Sequence, residues 1–268
     1  MYVTEEQVRQ FREDGYLLLP AAFSPEEVAE MNAELPAIFS EDTPARVLEK
    51  GTGQVRSVYG SHRTNELFGR VVRDPRLLEP ARAILESDVY VHQFKINAKL
   101  AFVGEVWEWH QDYIFWQKED GMPTSRVVNV TLFLDDVTEF NGPLLFIPGS
   151  HKAGVMDPGK RKGDEGDGPS WQADVAADLS YTLTKEMIAG WVAERGIVAP
   201  KGPAGSILLF DANVAHGSGP NMSPIDRKLL LATYNSVLNI PRDGAKERPD
   251  FLCARDYTPV QPLEPALV

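Results

Sequence analysis

A single cysteine, Cys253, in 268 residues is too few for an internal disulfide or a cysteine-based zinc cluster. Nowhere does the chain hold the ~20 consecutive apolar residues that crossing a bilayer requires. Its opening, Met-Tyr-Val-Thr-Glu-Glu-Gln, lacks the basic and apolar regions of a secretory leader. A cytoplasmic location is expected, with no membrane partner. Positive charge is also in deficit. With 27 Lys and Arg against 39 Asp and Glu, the net charge of −12 argues against nucleic acid as a partner.

What remains is an ordinary globular composition, 43% hydrophobic and 25% charged, at a length that suits one β-barrel enzyme with helical additions. No internal repeat or linker divides it, so 1–268 is read as one domain, helical over about 1–87 and barrel-like over about 88–240. Thr4 and Gln7 form a capping box that opens a helix to about Glu13. Tyr16–Pro20 reads as a short strand. Ser24-Pro25-Glu26-Glu27 repeats the helix-start logic for a helix to about Phe39, and Asp74-Pro75 opens a third ending near Ser87.

From Val89 to Lys99 the period becomes two, placing Gln93, Lys95, Asn97 and Lys99 on one face and Tyr90, His92, Phe94, Ile96 and Ala98 on the other. The polar face suits either a solvated exterior or a polar barrel interior. Arg126–Asp136 reads as a strand leading through Asn141-Gly142 into Pro143–Pro148 as a meander. The Gly/Asp/Pro/Lys-rich stretch 154–170 fits a lid or a disordered excursion. A helix from Thr184 to about Glu194 and strands at Gly205–Asp211 and Lys228–Tyr234 follow. Helices in front of many short strands predict a mainly β architecture with flanking helices, a double-stranded β-helix barrel of jelly-roll or cupin-like type.

The most suggestive stretch runs from Trp107 to Trp116, where His110 and Asp112 stand two residues apart among bulky aromatics. A second isolated histidine, His216, lies downstream just past the strand that ends at Asp211. Two His and one carboxylate can occupy one face of an octahedral Fe(II) and leave three positions open, provided that Gln111 points elsewhere. The same residues also suit a hydrogen-bonded core histidine and a chance His-x-Asp pair. Arg227 and Ser218 lie within reach of His216 if 217–226 is a hairpin return. A guanidinium fork there suits the far carboxylate of a dicarboxylate, and 2-oxoglutarate is the co-substrate implied.

Val89–Lys99, Trp109–Trp116, Glu119–Met122, Asn141–Phe146, Gly202–Asp211 and Asn221–Pro224 together resemble the phytanoyl-CoA dioxygenase superfamily of Fe(II)/2-oxoglutarate oxygenases. Within it, the chain is similar to the amino-acid hydroxylase branch, which includes free L-proline trans-4-hydroxylases and ectoine hydroxylases. The resemblance extends over nearly the whole chain. It implies His110, Asp112 and His216 as iron ligands, and Lys99, Asn97, Ser218 and Arg227 as 2-oxoglutarate contacts. It further implies that Gln93 touches substrate, that Trp116 walls the site, and that the polar face of Val89–Lys99 is interior, where Lys95 has no assigned partner. The activity implied is hydroxylation of L-proline to trans-4-hydroxy-L-proline, with O2 consumed and succinate and CO2 released. Because halogenases of this type lack the carboxylate, Asp112 favours hydroxylation.

A zwitterionic substrate needs a cation for its carboxylate and an acceptor for its ammonium. Arg56 and His62 are the expected carboxylate partners, although Arg56 equally suits a surface ion pair. Tyr59, Tyr113, Phe115 and Trp116 are expected to wall the ring. Ectoine, pipecolate or another small amino acid is the nearest rival substrate. A non-catalytic binding module and a zinc hydrolase are the rivals of a different class.

Overall fold

The computed structural model describes residues 2–161, 170–175, 179–242 and 248–263. Residues 162–169 of the expected 154–170 lid therefore lie outside the described residues. Helices α1 (Glu5–Asp14) and α2 (Pro25–Ser40) start at the expected places. Both carry complete capping boxes, Thr4 with Gln7 and Ser24 with Glu27, which satisfy N–H groups that the first helical turn leaves unpaired. Gly15, at φ +82°, ends α1 in the left-handed conformation and donates its N–H to the Phe11 carbonyl at 2.7 Å. Helices α3 (Glu66–Val71) and α4 (Pro75–Leu85) follow, the latter capped by Asp74.

Strands β1 (Tyr16–Leu19), β2 (Arg46–Leu48), β3 (Val55–Tyr59), β4 (Val89–Lys99), β5 (Trp107–His110), β6 (Val127–Phe133), β7 (Leu145–Phe146), β8 (Ile207–Asp211), β9 (His216–Ser218) and β10 (Arg227–Ser236) form two sheets. The larger sheet runs β1-β8-β6-β10-β4-β3-β2, and the smaller β5-β9-β7. All pairings are antiparallel. Two sheets closing on each other give the jelly-roll barrel. Helix α5 (Asp112–Glu119) follows β5, and α6 (Lys185–Arg195) starts at the Thr184 cap, as its sequence predicts.

Period-two patterning decides which side each residue serves. Phe94 and Ile96 of β4, Val128, Val130 and Leu132 of β6, Ile207 and Leu209 of β8, and Leu230, Ala232 and Tyr234 of β10 join one apolar cluster with Val28, Met31 and Leu35 of α2 and Leu77, Leu78 and Ala81 of α4. Phe133, Leu208, Phe210, Leu229 and Leu231, on alternate positions of the same strands, pack with Phe146 between the sheets. Each such side chain contributes ~1.5–3 kcal/mol by leaving water, so the helical layer fixes the large sheet.

Three sequence expectations change. The N-terminal part holds, besides the expected strand at Tyr16, two strands that were not expected, β2 and β3, and all three join the large sheet. The region after β6 is no meander: β7 pairs with β9 in the small sheet, so Asn141-Gly142 belongs to a crossover. Likewise, 217–226 is not a hairpin return, since β9 and β10 lie in different sheets and Arg227 stands opposite Lys99 on β4.

Candidate active site

His110 closes β5 and Asp112 opens α5, so a strand-to-helix junction, not a continuous strand, separates the two side chains. Gln111 at the junction points away, as expected, and is fully committed. Its amide donates to the Gly154 carbonyl at 2.9 Å and to the Asn213 carbonyl, while its oxygen accepts the Met156 N–H at 2.7 Å. Antiparallel pairing sets His110 directly opposite His216 on β9. Between the strands, a Cβ on Gly217 would approach the Trp107 carbonyl oxygen to 2.9 Å, so this close pairing requires glycine.

The two imidazole centroids are 4.1 Å apart. Asp112 Oδ1 lies 3.4 Å from His110 Nε2, and Oδ2 lies 3.7 Å from His216 Nε2. His110 Nδ1 donates to the Glu108 carbonyl at 2.6 Å, and His216 Nδ1 to the Val214 carbonyl at 3.0 Å. These bonds fix the tautomers and turn both Nε2 lone pairs toward the carboxylate. Asn129 donates to Asp112 Oδ2 at 2.7 Å and itself accepts from the Thr233 hydroxyl at 2.7 Å. Burial alone would raise the Asp112 carboxyl, but the neighbouring His216 and His110 imidazoles and the Lys95 ammonium overcome it and hold the group below the carboxylate range. Burial, with His110 beside it, lowers His216 to about 3, the neutral state a metal ligand needs. Two oriented imidazole nitrogens and one oriented carboxylate, with ligand atoms all within 4.8 Å of one another, fit a single Fe(II).

The triad opens on a cavity between the sheets that Gln93, Lys95, Asn97 and Arg227 also line. The polar face of β4 is therefore interior. Three buried polar atoms nearby have no hydrogen-bond partner among the described residues: Arg227 Nε, Ser218 Oγ and Asn97 Oδ1. Buried polar groups are seldom left unpaired, so these three mark a place for a polar ligand. Burial lowers Arg227 to about 9, opposed by Asp135, so the guanidinium stays charged at neutral pH and a carboxylate beside it would raise its pKa again.

The remaining expected contacts divide sharply. Tyr59, Gln93, Trp116 and Phe115 line the cavity, with Gln93 also donating to the Leu252 carbonyl at 2.9 Å. Tyr113 does not line it and packs with Met122 and Val127. Lys99 is committed elsewhere, donating to the backbone carbonyls of Glu105 at 2.6 Å and of Gly219. It anchors the segment that carries Ser218. Burial, then Arg227 and Arg56, lower it to about 6.

Arg56 and His62 require correction. Arg56 pairs with Glu49 at 3.0 Å, with both side chains 2% exposed, donates to the Val106 and Val175 carbonyls, and stacks 3.8 Å over Trp107. It is an internal brace, not an open cation. His62 packs on Phe94, which faces the helical layer, on the opposite side of β4 from the cavity. Burial, then Arg63, push it down to about 4. Sequence reading missed Asn129, Asp174 and Arg248, of which the last two line the cavity. Only Asn129 carried a signal, as a polar residue at an inward position of a Val-rich strand.

The phytanoyl-CoA dioxygenase family model matches residues 11–229. The chain belongs to the phytanoyl-CoA dioxygenase family. Among its relatives, an L-proline trans-4-hydroxylase from Streptomyces griseoviridis is 40% identical over 255 residues, covering 95% of this chain and 94% of that protein. An ectoine dioxygenase from Bordetella bronchiseptica is 36% identical over 271 residues, covering 98% and 86%. The crystal structure of EctD from S. alaskensis with 2-oxoglutarate and 5-hydroxyectoine superimposes with a TM-score of 0.83 at 30% identity, covering 98% of this chain and 88% of that one. The same protein with bound Fe also gives a TM-score of 0.83. No helix among the described residues is long and apolar enough to cross a membrane.

Proposed function

We propose that this chain is an Fe(II)- and 2-oxoglutarate-dependent hydroxylase of a small amino acid, and that the substrate is free L-proline, converted to trans-4-hydroxy-L-proline. The observation that carries the reaction class is the complete His110–Asp112–His216 set facing a cavity with the unpartnered Arg227, Ser218 and Asn97 atoms. The choice of L-proline is supported by the 40% identity to an L-proline trans-4-hydroxylase over almost its full length.

His110, Asp112 and His216 would hold the iron, which with O2 and 2-oxoglutarate supplies an oxidant strong enough for an unactivated C–H, releasing succinate and CO2. Each residue of the chain has a part that the geometry supports. Asn129 orients the Asp112 carboxylate, and the Glu108 and Val214 carbonyls orient the rings. Arg227 clamps the distal carboxylate of 2-oxoglutarate, with Ser218 and Asn97 as further contacts and Lys99 securing the Ser218 segment from behind. Trp116, 2% exposed and edge-on to His92, walls the substrate side and excludes water.

The test is anaerobic reconstitution with Fe(II), followed by O2, 2-oxoglutarate and L-proline, with hydroxyproline isomers and succinate resolved by chromatography and mass spectrometry. Equal amounts of succinate and trans-4-hydroxyproline are expected. Succinate without hydroxyproline would keep the co-substrate and move the substrate to ectoine, L-pipecolate or another amino acid. Iron bound with neither product formed would mean a binding module.

A further inference from the structure

The cavity contains two opposite charges that iron and 2-oxoglutarate do not use. Asp174, at the end of a short 3-10 turn over Ser170–Asp174, is 8% exposed and lines the cavity. Ser180 hydrogen-bonds its carboxylate, but Oδ1 has no hydrogen-bond partner, and the nearest ion-pair contact, Lys160 Nζ, stands off at 3.9 Å. On the same cavity lies Arg248, 5% exposed. Its Nη1 donates to Asp120 Oδ1 at 3.0 Å, Asp120 is held in turn by His92 at 3.1 Å, and Arg248 Nε has no partner.

Each group has its own anchor, and among the described residues no hydrogen bond or ion pair joins them. Two buried, opposite charges lining one cavity are kept from each other here by separate anchors, Asp120 for Arg248 and Ser180 with the more distant Lys160 for Asp174. Held apart, they present the complement of a molecule with a cation and an anion a few bonds apart.

We propose that Asp174 and Arg248 are the zwitterion clamp of this enzyme. Asp174 Oδ1 accepts a hydrogen bond from the substrate's ammonium, and the Arg248 guanidinium binds its carboxylate. The assignment rests on the reading that the substrate is a free amino acid, and it replaces Arg56 and His62, whose positions serve the scaffold. Lys95, another buried cation lining the cavity, directs its charge at Asp112 and His216. The charges of Arg248 and Lys160 both reach Asp174, but Lys160 is committed to Glu119 at 2.9 Å and, unlike Arg248, is not among the residues that line the cavity. Holding both charged ends leaves the carbon ring as the part free to meet the triad, so the clamp sets which C–H reacts.

The experiment pairs each variant with an analogue that lacks the matching charge. Affinities are measured by calorimetry on enzyme loaded with Fe(II) and 2-oxoglutarate under nitrogen, so that no turnover is needed. The ligands are L-proline, (S)-tetrahydrofuran-2-carboxylate, in which a ring oxygen replaces the amine, and L-prolinamide. Wild type is expected to prefer L-proline over either analogue by roughly 10- to 100-fold, the scale of one charge-assisted hydrogen bond. Asp174→Asn should erase the preference over tetrahydrofuran-2-carboxylate while keeping that over prolinamide. Arg248→Gln should do the reverse, and Arg248→Lys should partly restore it.

Variants that weaken all three ligands equally, or none, would overturn the clamp. Loss of the prolinamide preference in Lys95→Met but not in Arg248→Gln would overturn the carboxylate half. Wild type that neither binds nor hydroxylates L-proline would overturn the L-proline reading instead. The variants would then be tested with ectoine and L-pipecolate, where unchanged affinity in both, or no binding of either ligand to wild type, would overturn the clamp as well.

Discussion

Among the described residues, two buried clusters each gather three side chains able to bind a metal within 4.8 Å: His110, Asp112 and His216, and His92, Asp120 and Cys253. Residue type and burial barely separate them, yet their hydrogen bonding does. In the second cluster the acceptors turn on one another. Asp120 receives Arg248 on one oxygen and faces His92 on the other, and it is also bonded by Cys253, whose thiol burial and the Asp120 charge push up to about 12. An ion there would have to displace an arginine and strip a reluctant proton. In the first cluster both rings hold their N–H groups on backbone carbonyls and leave their lone pairs facing a cavity. A metal site is therefore recognised by donors left uncommitted and aimed at one point. The second cluster has a different use, as the bracket that holds Arg248 at the cavity wall.

The same distinction separates the two largest fully buried side chains, Arg56 and Arg227. The first is saturated by Glu49, two carbonyls and Trp107, whereas Arg227 Nε has no partner.

The strongest way to break the comparison is Asp112→Ala. It should reduce bound iron well below one per chain by elemental analysis and abolish hydroxylation, and retained turnover would falsify the triad. Next come the two arginines. Arg227→Ala should raise KM for 2-oxoglutarate by at least about 30-fold, the lower end of truncating one partner of a buried charge pair, with far less change in KM for the amino acid. Arg56→Ala should instead cost about 3–5 kcal/mol of stability in urea unfolding by stranding Glu49. If Arg56→Ala acted on substrate KM without loss of stability, its role as a brace would be wrong.

Asn129→Ala removes only the residue that orients Asp112. A 10- to 100-fold weaker iron affinity is expected, read by titration with competing chelator. The smallest effect sharpens the second cluster. Cys253→Ala should leave iron stoichiometry unchanged. In the native chain, alkylation of Cys253 followed by mass spectrometry should still be rising about tenfold per pH unit between about pH 9 and 10.5, because burial and Asp120 push its thiol up to about 12 from the ordinary value of 9. A rate that levels off by about pH 10.5 would contradict the buried, Asp120-bonded thiol.

Local chemistry made much of the molecule legible in advance. The capping boxes at Thr4 and Ser24, the alternation of Val89–Lys99 and the His110-x-Asp112 step each depend on residues within a few positions of one another. Ser218 and Arg227 were suggested by their spacing to His216, although the hairpin assumed for 217–226 does not form, while Asn97 and Lys99 came only through family resemblance, and Lys99 bonds backbone carbonyls instead of facing the cavity. Arg56 and His62 misled because a cation's availability depends on what is packed against it. Glu49, seven residues from Arg56, decides one case, and the outward face of Phe94 decides the other.

The sequence by itself determined the capped helices at Glu5, Pro25, Pro75 and Lys185, the strand period and the candidate metal-ligand set His110, Asp112 and His216, since capping, alternation and ligand chemistry are properties of residue type and short stretches. Only the tertiary structure decided that β7 and β9 leave the large sheet, that Asn129 supports Asp112, and that Asp174 and Arg248 share a cavity without pairing to each other. Those outcomes depend on which distant segments occupy the same space and which polar atoms are left without a partner when they do.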